Sequence, residues 1–393
     1  MNIRSQFLNH LAQTSDAPLA LDIVKAHGNY LYDRAGKTYL DLIGGISVCN
    51  VGHTHPKVVA AIQKQAAEYL HVMVYGELIQ SPQVDYASQL AHLLPDPLNA
   101  VYFTNSGSEA TEGAIKLARR VTGKTEIVAA HKSYHGSTLG ALSVMGDEYW
   151  RNAFRPLLPG VWHHDYNSDA FLNAINSNTA CVILESIQAE SGVCMPDKAW
   201  IQSIRKKCSE LGALLIIDEI QTGFGRTGKM WGFEHSEIIP DIVLLGKALG
   251  GGMPLGAFVA AKEHMQQLSN NPVLGHITTF GGHPVSCAAG LAALEVLLEE
   301  KLIEQIEEKS NLFINELQHK KIKYVRAKGL LIAIELESSE LVLASIQGCL
   351  KNNLFSDWFL FAPNCIRIAP PLTITIEEIK LACTNIKQVL SSL

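Results

Sequence analysis

Two short apolar stretches decide the fold, Leu214-Leu215-Ile216-Ile217-Asp218 and Ile242-Val243-Leu244-Leu245-Gly246-Lys247. Both run through aliphatic residues without polar alternation, which is typical of strands buried on both faces of a parallel sheet. A charged residue closes each stretch. Because ligands bind at the carboxyl ends of the strands in such sheets, Asp218 and Lys247 are the first candidates for a functional site.

Alternating strands and helices continue on both sides of these two stretches. Further apolar runs predict strands at 99–103, 126–130, 180–184 and 257–260, and amphipathic runs predict helices at 108–120 and 198–211. This order predicts an α/β fold with a mostly parallel sheet covered by helices on both faces.

The pattern changes near the two ends of the chain. Residues 30–32 and 38–40 predict a hairpin, residues 286–308 and 310–319 predict amphipathic helices, and residues 330–336 resemble a strand. We therefore expect a large α/β domain at 46–285 and a smaller, discontinuous α+β domain assembled from 1–45 and 286–393.

The composition indicates a soluble protein with much buried surface. Of the 393 residues, 18% are charged, against a usual fraction of about a quarter, so a large core or a large subunit interface is expected. The 32 Lys+Arg and 38 Asp+Glu give a net charge of −6, which argues against a nucleic-acid partner and against a basic membrane face.

Location and metal content follow from absent patterns. No apolar run reaches the roughly 18 residues of a membrane span, and residues 1–21 carry no signal-peptide pattern, so we expect a cytoplasmic protein. The eight cysteines lie far apart without a C-x-x-C pair, which predicts free thiols and no metal site.

A glycine-rich loop, Gly223-Phe224-Gly225-Arg226-Thr227-Gly228, follows the strand that ends at Asp218. It matches the G-x-G-x-x-G pattern and, with Lys229, nearly matches a Walker A loop. Either loop needs a helix directly after it to direct backbone N–H groups at phosphates, and Met230-Trp231-Gly232-Phe233 is poor helix material. Nucleotide binding through residues 223–229 is kept only as the alternative from a different class of protein.

A better anion site lies at Thr104-Asn105-Ser106-Gly107-Ser108-Glu109, before the strongest predicted helix. Gly107 lets the backbone approach an anion closely, and the hydroxyls of Ser106 and Ser108 can add hydrogen bonds. A helix N-cap explains the same residues, since Ser106 with Glu109, or Ser108 with Thr111, is close to a capping box. The spacing leaves both interpretations open.

The charged ends of the two apolar stretches also allow two interpretations. Burying a carboxylate is costly without a cationic partner, so Asp218 and Lys247 could form a structural salt bridge. Buried lysines are scarce, however, and a desolvated amine has a lowered pKa and can form a Schiff base. A carboxylate held opposite a protonated pyridine would then make pyridoxal phosphate an electron sink.

Sequence motifs along nearly the whole chain also indicate this chemistry. They are GNYLYD at 28–33, NVGHTHP at 50–56, NSGSEA at 105–110, YHG at 134–136, IDEIQTGFGRTG at 217–228, GKALGGG at 246–252, TTFGGHP at 278–284 and RIAPPL at 367–372. Together they resemble the class III aminotransferases, which include the ornithine and acetylornithine types. The resemblance implies the type I fold of the transferases that depend on pyridoxal phosphate, and pyridoxal 5'-phosphate as the cofactor.

The resemblance also implies cofactor roles. Lys247 is similar to the Schiff-base lysine, which moves a proton between substrate and cofactor, and Asp218 to the carboxylate paired with the pyridine nitrogen. Gln221 matches the residue that hydrogen-bonds the ring hydroxyl, and Tyr134 the stacking aromatic residue. The phosphate is expected to be held by Ser106, Gly107, Ser108 and, from the neighbouring subunit, Thr279, which implies a homodimer with shared active sites.

Substrate roles follow in the same way. Arg367 is similar to the arginine that clamps the carboxylate of an amino or oxo-acid, which suits its planar fork. Glu190 resembles the glutamate that pairs with this arginine when an ω-amine binds, and Thr278 is assigned to the substrate as well. The implied reaction moves an amino group in two steps from an ω-amino acid or amine, ornithine- or acetylornithine-like, to 2-oxoglutarate or another oxo-acid. A decarboxylase, racemase or aminomutase is the alternative within the same fold.

Three departures from the family pattern leave the amino donor open. Ser137 stands where the ornithine, acetylornithine and GABA types carry a donor-binding arginine. Residues 185–190 read ESIQAE in place of Glu-Pro-x-x-Gly-Glu, and no tyrosine precedes Tyr30. The donor is therefore expected to lack a carboxylate at that spot or to bind through another group.

Overall fold

The computed structural model describes residues 2–74 and 76–393 as three sheets with helices packed around them. The strands are β1 Ile23–His27, β2 Tyr30–Asp33, β3 Thr38–Asp41, β4 Ala100–Thr104, β5 Glu126–Ala130, β6 Val161–His164, β7 Thr179–Glu185, β8 Leu214–Asp218, β9 Ile242–Leu245, β10 Gly256–Ala260, β11 Tyr324–Lys328, β12 Leu331–Glu335, β13 Leu354–Phe355, β14 Asp357–Phe359 and β15 Ala362–Ile368. The helices are α1 Ile3–His10, α2 Gly44–Ser47, α3 Pro56–Glu68, α4 Ser81–Leu93, α5 Gly107–Thr122, α6 Leu139–Val144, α7 Glu148–Arg151, α8 Asp169–Ala174, α9 Lys198–Leu211, α10 Lys262–Met265, α11 Pro284–Glu299, α12 Ile306–Glu316, α13 Ser339–Lys351 and α14 Ile376–Ser392. Within these ranges, no helix has both the length and the apolar character that a membrane crossing requires.

A seven-stranded sheet, ordered β4-β10-β9-β8-β7-β5-β6, forms the centre of the protein. β10 runs antiparallel to both of its neighbours, and the other strand pairs are parallel. Successive residues of β8 pack into different apolar clusters, Leu215 and Ile217 into one and Ile216 into the other. Because apolar contacts cover both faces, the predicted α/β fold with a mostly parallel sheet is confirmed.

The most apolar predicted elements have the predicted bounds. The strands at 126–130, 214–218 and 242–245 and the helix at 198–211 agree to the residue. Gly212 ends that helix with a φ of 62°, a left-handed conformation that glycine adopts without steric cost.

The helix predicted at 286–308 is wrong in its extent and in its character. α11 ends at Glu299, Lys301 has a φ of 52°, and a 3-10 turn at Leu302–Gln305 precedes α12. The apolar pattern conceals this break because Leu302 and Ile306 are both buried. α11 is buried around most of its circumference, against α3 and α4, so it is not the amphipathic surface helix expected.

Two smaller sheets are formed by strands from residues 23–41 and 324–368, toward the two ends of the chain. One is ordered β1-β2-β3-β13, where β13 pairs in parallel with β3 by placing Leu354 opposite Leu40. The other is antiparallel and ordered β11-β12-β15-β14. The pairing of β3 with β13 joins distant parts of the chain, and it supports the division into 46–285 and 1–45 with 286–393, which stays a prediction.

Candidate active site

A cavity of about 170 Å³ lies where β8 and β9 end, beside the first turn of α5. Seven predicted cofactor residues line it: Ser106, Gly107, Ser108, Tyr134, Asp218, Gln221 and Lys247. Five residues to which the sequence analysis gave no role complete the lining: His135, Gly136, Glu185, Ile220 and Thr222. The structure thus brings together residues that lie up to 141 positions apart, from residue 106 to residue 247.

Asp218 holds a buried carboxylate at the end of β8, with the residue 4% exposed. The carboxylate lies 2.7 Å from Nδ1 of His135 and accepts a hydrogen bond from the backbone N–H of Ile220 at 2.9 Å. Nε2 of His135 is buried without a partner in the described part of the chain. The tautomer with its proton on Nδ1 leaves no buried N–H unpaired, so His135 donates to Asp218 and fixes its orientation.

Lys247 follows β9 and Gly246 with a φ of 48°, which is unusual for a residue with a side chain. Its Nζ donates to Oε1 of Gln221 at 3.2 Å. Burial lowers the pKa of Lys247, the charge of Arg367 acts in the same direction, and the carboxylates of Glu190 and Asp218 oppose the shift. Among the described residues, the carboxylate of Asp218 is paired with His135 instead, so the structural salt bridge between Asp218 and Lys247 is wrong.

The loop before α5 combines both interpretations of its sequence. Oγ of Ser106 accepts from the backbone N–H of Glu109 at 3.2 Å, so Ser106 is the N-cap of α5. The first N–H groups of a helix have no intrahelical acceptor, so those of Gly107 and Ser108 remain available to an anion. The loop is therefore both a cap and a possible anion site.

Two glycines, Gly107 and Gly136, allow close packing around the first turn of α5. A Cβ at Gly107 would lie 2.7 Å from Cδ1 of Ile220. A Cβ at Gly136, whose φ is 123°, would lie 2.2 Å from Oγ of Ser108. Gly136 is required, because its φ is positive and a Cβ there would also lie 2.8 Å from the backbone Cα of Ser108, whereas a Cβ at Gly107 would force the side chain of Ile220 to move.

Glu185 is a site residue that the sequence analysis missed. Its carboxylate accepts from the backbone N–H of Tyr134 and from that of Ala189, both at 3.1 Å. Burial raises the pKa of Glu185 well above its usual value, and the nearby charge of Asp218 acts in the same direction. The available signal was its position, because Glu185 ends an apolar strand just as Asp218 does.

Arg367 is 2% exposed and lies on β15. Its Nη1 and Nη2 donate to Oε1 and Oε2 of Glu190 at 2.8 Å and 2.7 Å, and Nη2 also donates to the carbonyl of Trp358 at 2.8 Å. The guanidinium lies 4.6 Å from the ring centre of Phe359. The predicted pairing of Arg367 with Glu190 is present as a bidentate, buried ion pair.

The two predicted threonines lie outside the cavity. Thr279 is exposed, and its carbonyl lies 2.7 Å from Nε2 of His71. Thr278 accepts a hydrogen bond from Nδ2 of Asn105 at 2.9 Å and lines a separate groove. Within one chain, neither hydroxyl therefore belongs to the lining around Lys247.

The glycine-rich loop at 223–229 is part of the core. Arg226 is fully buried and donates to the carbonyls of Leu330 and Pro370 and to Oδ1 of Asn50. A 3-10 turn at Gly232–Ser236, not an α-helix, follows the loop. The loop therefore presents no helix N-terminus to a phosphate, which argues against the nucleotide-binding alternative.

A profile of the class III aminotransferases matches residues 11–390. Among solved structures, the ornithine aminotransferase from Toxoplasma gondii is 31% identical with a TM-score of 0.91, covering 99% of this chain and 93% of that chain. The adenosylmethionine-8-amino-7-oxononanoate aminotransferase from Methanocaldococcus jannaschii is 30% identical with a TM-score of 0.90, covering 99% and 98%. An (S)-enantioselective omega-transaminase from Thermomicrobium roseum is 28% identical with a TM-score of 0.91, covering 99% and 97%.

The chain belongs to the class III aminotransferase family, as the sequence motifs predicted. It is a transaminase that depends on pyridoxal phosphate, and its architecture is the type I fold of these enzymes.

The cavity fits this cofactor in its polar groups. Nε2 of Gln221 is buried without a hydrogen-bond partner among the described residues, as is Nε2 of His135. A buried polar atom without a partner is costly unless a ligand supplies one. The cavity also offers an amine, a carboxylate and helix N–H groups, which match an aldehyde, a pyridine nitrogen and a phosphate.

Proposed function

We propose that this enzyme moves an amino group from an ω-amino acid or amine to 2-oxoglutarate or another oxo-acid in two half-reactions. The observation that carries the proposal is the paired site, in which the cavity around Lys247 lies near the buried Arg367–Glu190 pair. One part suits a cofactor, and the other can hold either a carboxylate or, through Glu190, an amine.

Eight residues that line the cavity have a proposed task. Lys247 holds the cofactor through Nζ and carries the proton that moves between the substrate carbon and the cofactor. Asp218, oriented by His135, keeps a negative charge at the end of β8 opposite the pyridine nitrogen. Gln221 would donate from Nε2 to the ring hydroxyl of the cofactor, and Tyr134 would supply an aromatic face for its ring. The phosphate is held by the first turn of α5, with Ser106, Gly107 and Ser108.

The cofactor supplies one kind of chemistry, an electron sink for the bonds of the substrate carbon. The chain supplies the rest through position and charge. Burial lowers the pKa of Lys247, so a larger share of its amine is unprotonated and able to accept a proton.

The Arg367–Glu190 pair explains how one site could take two kinds of substrate. A substrate carboxylate replaces Glu190 at the two η nitrogens of Arg367, because the planar fork binds one carboxylate at a time in bidentate geometry. An ω-ammonium group leaves the pair closed and meets the carboxylate of Glu190 instead. Thr278 is proposed to act on the substrate side through Asn105, to which it is hydrogen-bonded.

Ser137 limits the choice of amino donor. Its Oγ lies 3.2 Å from the hydroxyl of Tyr134, and its backbone N–H donates to Ser108 at 3.2 Å. Serine offers neither the positive charge nor the bidentate fork with which an arginine would hold a donor carboxylate. We therefore propose donors that present an amine without a carboxylate at this position, and ornithine or acetylornithine remain candidates among several.

A homodimer with shared active sites belongs to the proposal. Thr279 is exposed beside Phe280, which is 54% exposed, and the groove nearby includes Ile79, which is 96% exposed. Exposed apolar side chains that line one groove favour contact with another protein surface. Through such contact Thr279 would reach the phosphate of the partner's cofactor. We also propose that the enzyme works in the cytoplasm, on small molecules.

Glutamate formation from 2-oxoglutarate tests the reaction directly. Purified holoenzyme is supplied with ornithine, acetylornithine, lysine, GABA or β-alanine, and glutamate is measured. We expect glutamate from at least one donor, with Lys247→Ala at least about a hundredfold slower, because it loses both the amine and the proton carrier. Equal turnover in Lys247→Ala would overturn the proposal, and consumption of a donor without glutamate would favour another oxo-acid or a decarboxylase.

A further inference from the structure

A second carboxylate lies beside Arg367. Asp357 on β14 is the direct cross-strand neighbour of Arg367, and its Oδ1 lies 3.1 Å from Nε. Neither of these two atoms makes a well-aligned hydrogen bond within the described ranges. The contact is therefore an ion pair held in place by the β14–β15 pairing rather than by hydrogen-bond geometry.

The contacts of Arg367 determine which of its partners a substrate carboxylate can replace. Glu190 occupies both η nitrogens, and the Trp358 carbonyl takes a further N–H. A substrate carboxylate can replace Glu190, which comes from the segment after β7. The backbone of Asp357, by contrast, is fixed directly opposite Arg367, because its own strand is paired with the strand of Arg367.

The net charge around Arg367 depends on whether Glu190 is in place or has been displaced. With Glu190 in place, one arginine and two carboxylates sum to −1. When Glu190 is displaced, Arg367 and Asp357 alone sum to zero. An incoming carboxylate thus meets an arginine whose charge is already offset, and an incoming ammonium group meets a net negative cluster.

We propose that Asp357 is a specificity-determining residue, whose fixed charge beside Nε of Arg367 weakens carboxylate binding and favours amine-bearing substrates at the same site. The inference rests on the proposed role of Arg367 as the carboxylate clamp. In this role Asp357 acts on the substrate through Arg367, and its charge shifts the balance between the two half-reactions.

The charge of Asp357 should vary with pH. Burial raises the pKa of Asp357 to about 6, against the opposing effect of Arg367 and with added effects of Glu190 and Asp41. These groups face it from β15, from the segment after β7 and from β3, where Asp41 is paired with His53 at 2.7 Å. As the pH falls through about 6, Asp357 loses its charge, so its effect on carboxylate binding should disappear.

Glutarate, a dicarboxylate without an oxo group, tests the inference by calorimetry on the holoenzyme. Asp357→Asn should bind glutarate about tenfold more tightly than the unmodified enzyme, equivalent to about 1.4 kcal/mol. The KM of the best amine donor should rise in the same variant. Asp22→Asn is the matched control, because Asp22 also pairs with an arginine, Arg34, but on an exposed surface.

The outcomes separate the inference from the proposed function. A Kd for glutarate that is unchanged or weaker in Asp357→Asn overturns the role of Asp357, since a merely structural residue would weaken binding. Arg367→Ala should lose glutarate binding, and if it does not, the clamp itself fails. Asp357→Ser replaces Asp357→Asn in this test if the first variant does not fold.

The difference in glutarate affinity between the unmodified enzyme and the variant should also shrink from about pH 7.5 to about pH 5.5. A difference that stays constant over this range would count against the inference.

Discussion

The cofactor cavity and the Arg367 cluster are both polar and buried, but they differ in how their polar atoms are satisfied. In the cavity, Nε2 of Gln221 and Nε2 of His135 have no partner among the described residues. Arg367 instead has Glu190 on both η nitrogens, a carbonyl on Nη2 and Asp357 near Nε. The cavity leaves polar atoms for a ligand to pair. In the cluster both η nitrogens of Arg367 are already paired, and only Nε and Oδ1 of Asp357 lack a well-aligned hydrogen bond within the described ranges.

The difference explains how each part is used. A site with unpaired donors binds its ligand without first breaking contacts, which suits a resident cofactor. A site that is already paired binds only by exchange, so its occupant can be displaced again, which suits substrates that alternate. Substitutions in each part can test this contrast.

Asp218→Asn should have the largest effect. The change removes the fixed negative charge at the end of β8 but keeps the shape and an acceptor for His135, so we expect kcat to fall by about 10²–10³. The measurement is kcat with saturating cofactor and substrates. Asp241→Asn is the control, because Asp241 pairs with Arg205 at 2.7 Å outside the cavity. A loss in Asp218→Asn no greater than in this control would contradict the assigned role.

Glu190→Gln and Gln221→Leu should affect stability to very different extents. Glu190→Gln leaves the buried Arg367 without a bidentate partner, so the free energy of unfolding should fall by about 3 kcal/mol. Gln221→Leu removes a buried amide that lacks a partner for Nε2, so the unfolding free energy without cofactor should change by less than about 1 kcal/mol. Denaturant titration measures both. Equal losses in the two variants would break the contrast between the sites.

Ser137→Arg should have a smaller effect, limited to donor choice. A guanidinium near the Tyr134 hydroxyl could pair with a donor carboxylate, so kcat/KM for carboxylate-bearing donors should rise by about tenfold. Donors without that carboxylate should gain nothing. The control is Ser203→Arg on the exposed side of α9. A uniform change across the donors would mean that Ser137 does not face them.

Much of the central sheet could be predicted because each buried strand is a continuous apolar run. β8 and β9 were confirmed to the residue for this reason. β6, which is Val-Trp-His-His, was missed because two histidines interrupt the apolar pattern. The break after α11 was missed because the buried spacing continues across Lys301.

The residues of the site also divide into those that the sequence could predict and those that it could not. Asp218 and Lys247 could be found from the sequence because each places a charge at the end of an apolar strand. The pairing of His135 with Asp218 and that of Asp357 with Arg367 depend on tertiary contacts. The pairing of Glu190 with Arg367 spans 177 positions, and only the family resemblance suggested it. No local pattern indicates contacts of this kind.

Borohydride reduction can establish whether Lys247 in this cavity holds the cofactor. Reduction of the holoenzyme should fix the cofactor covalently to the protein, and peptide mass spectrometry should find the added mass on the peptide that contains Lys247. Lys247→Arg, treated identically, should carry no label. A label on any other lysine, or an equal label in Lys247→Arg, would contradict the account.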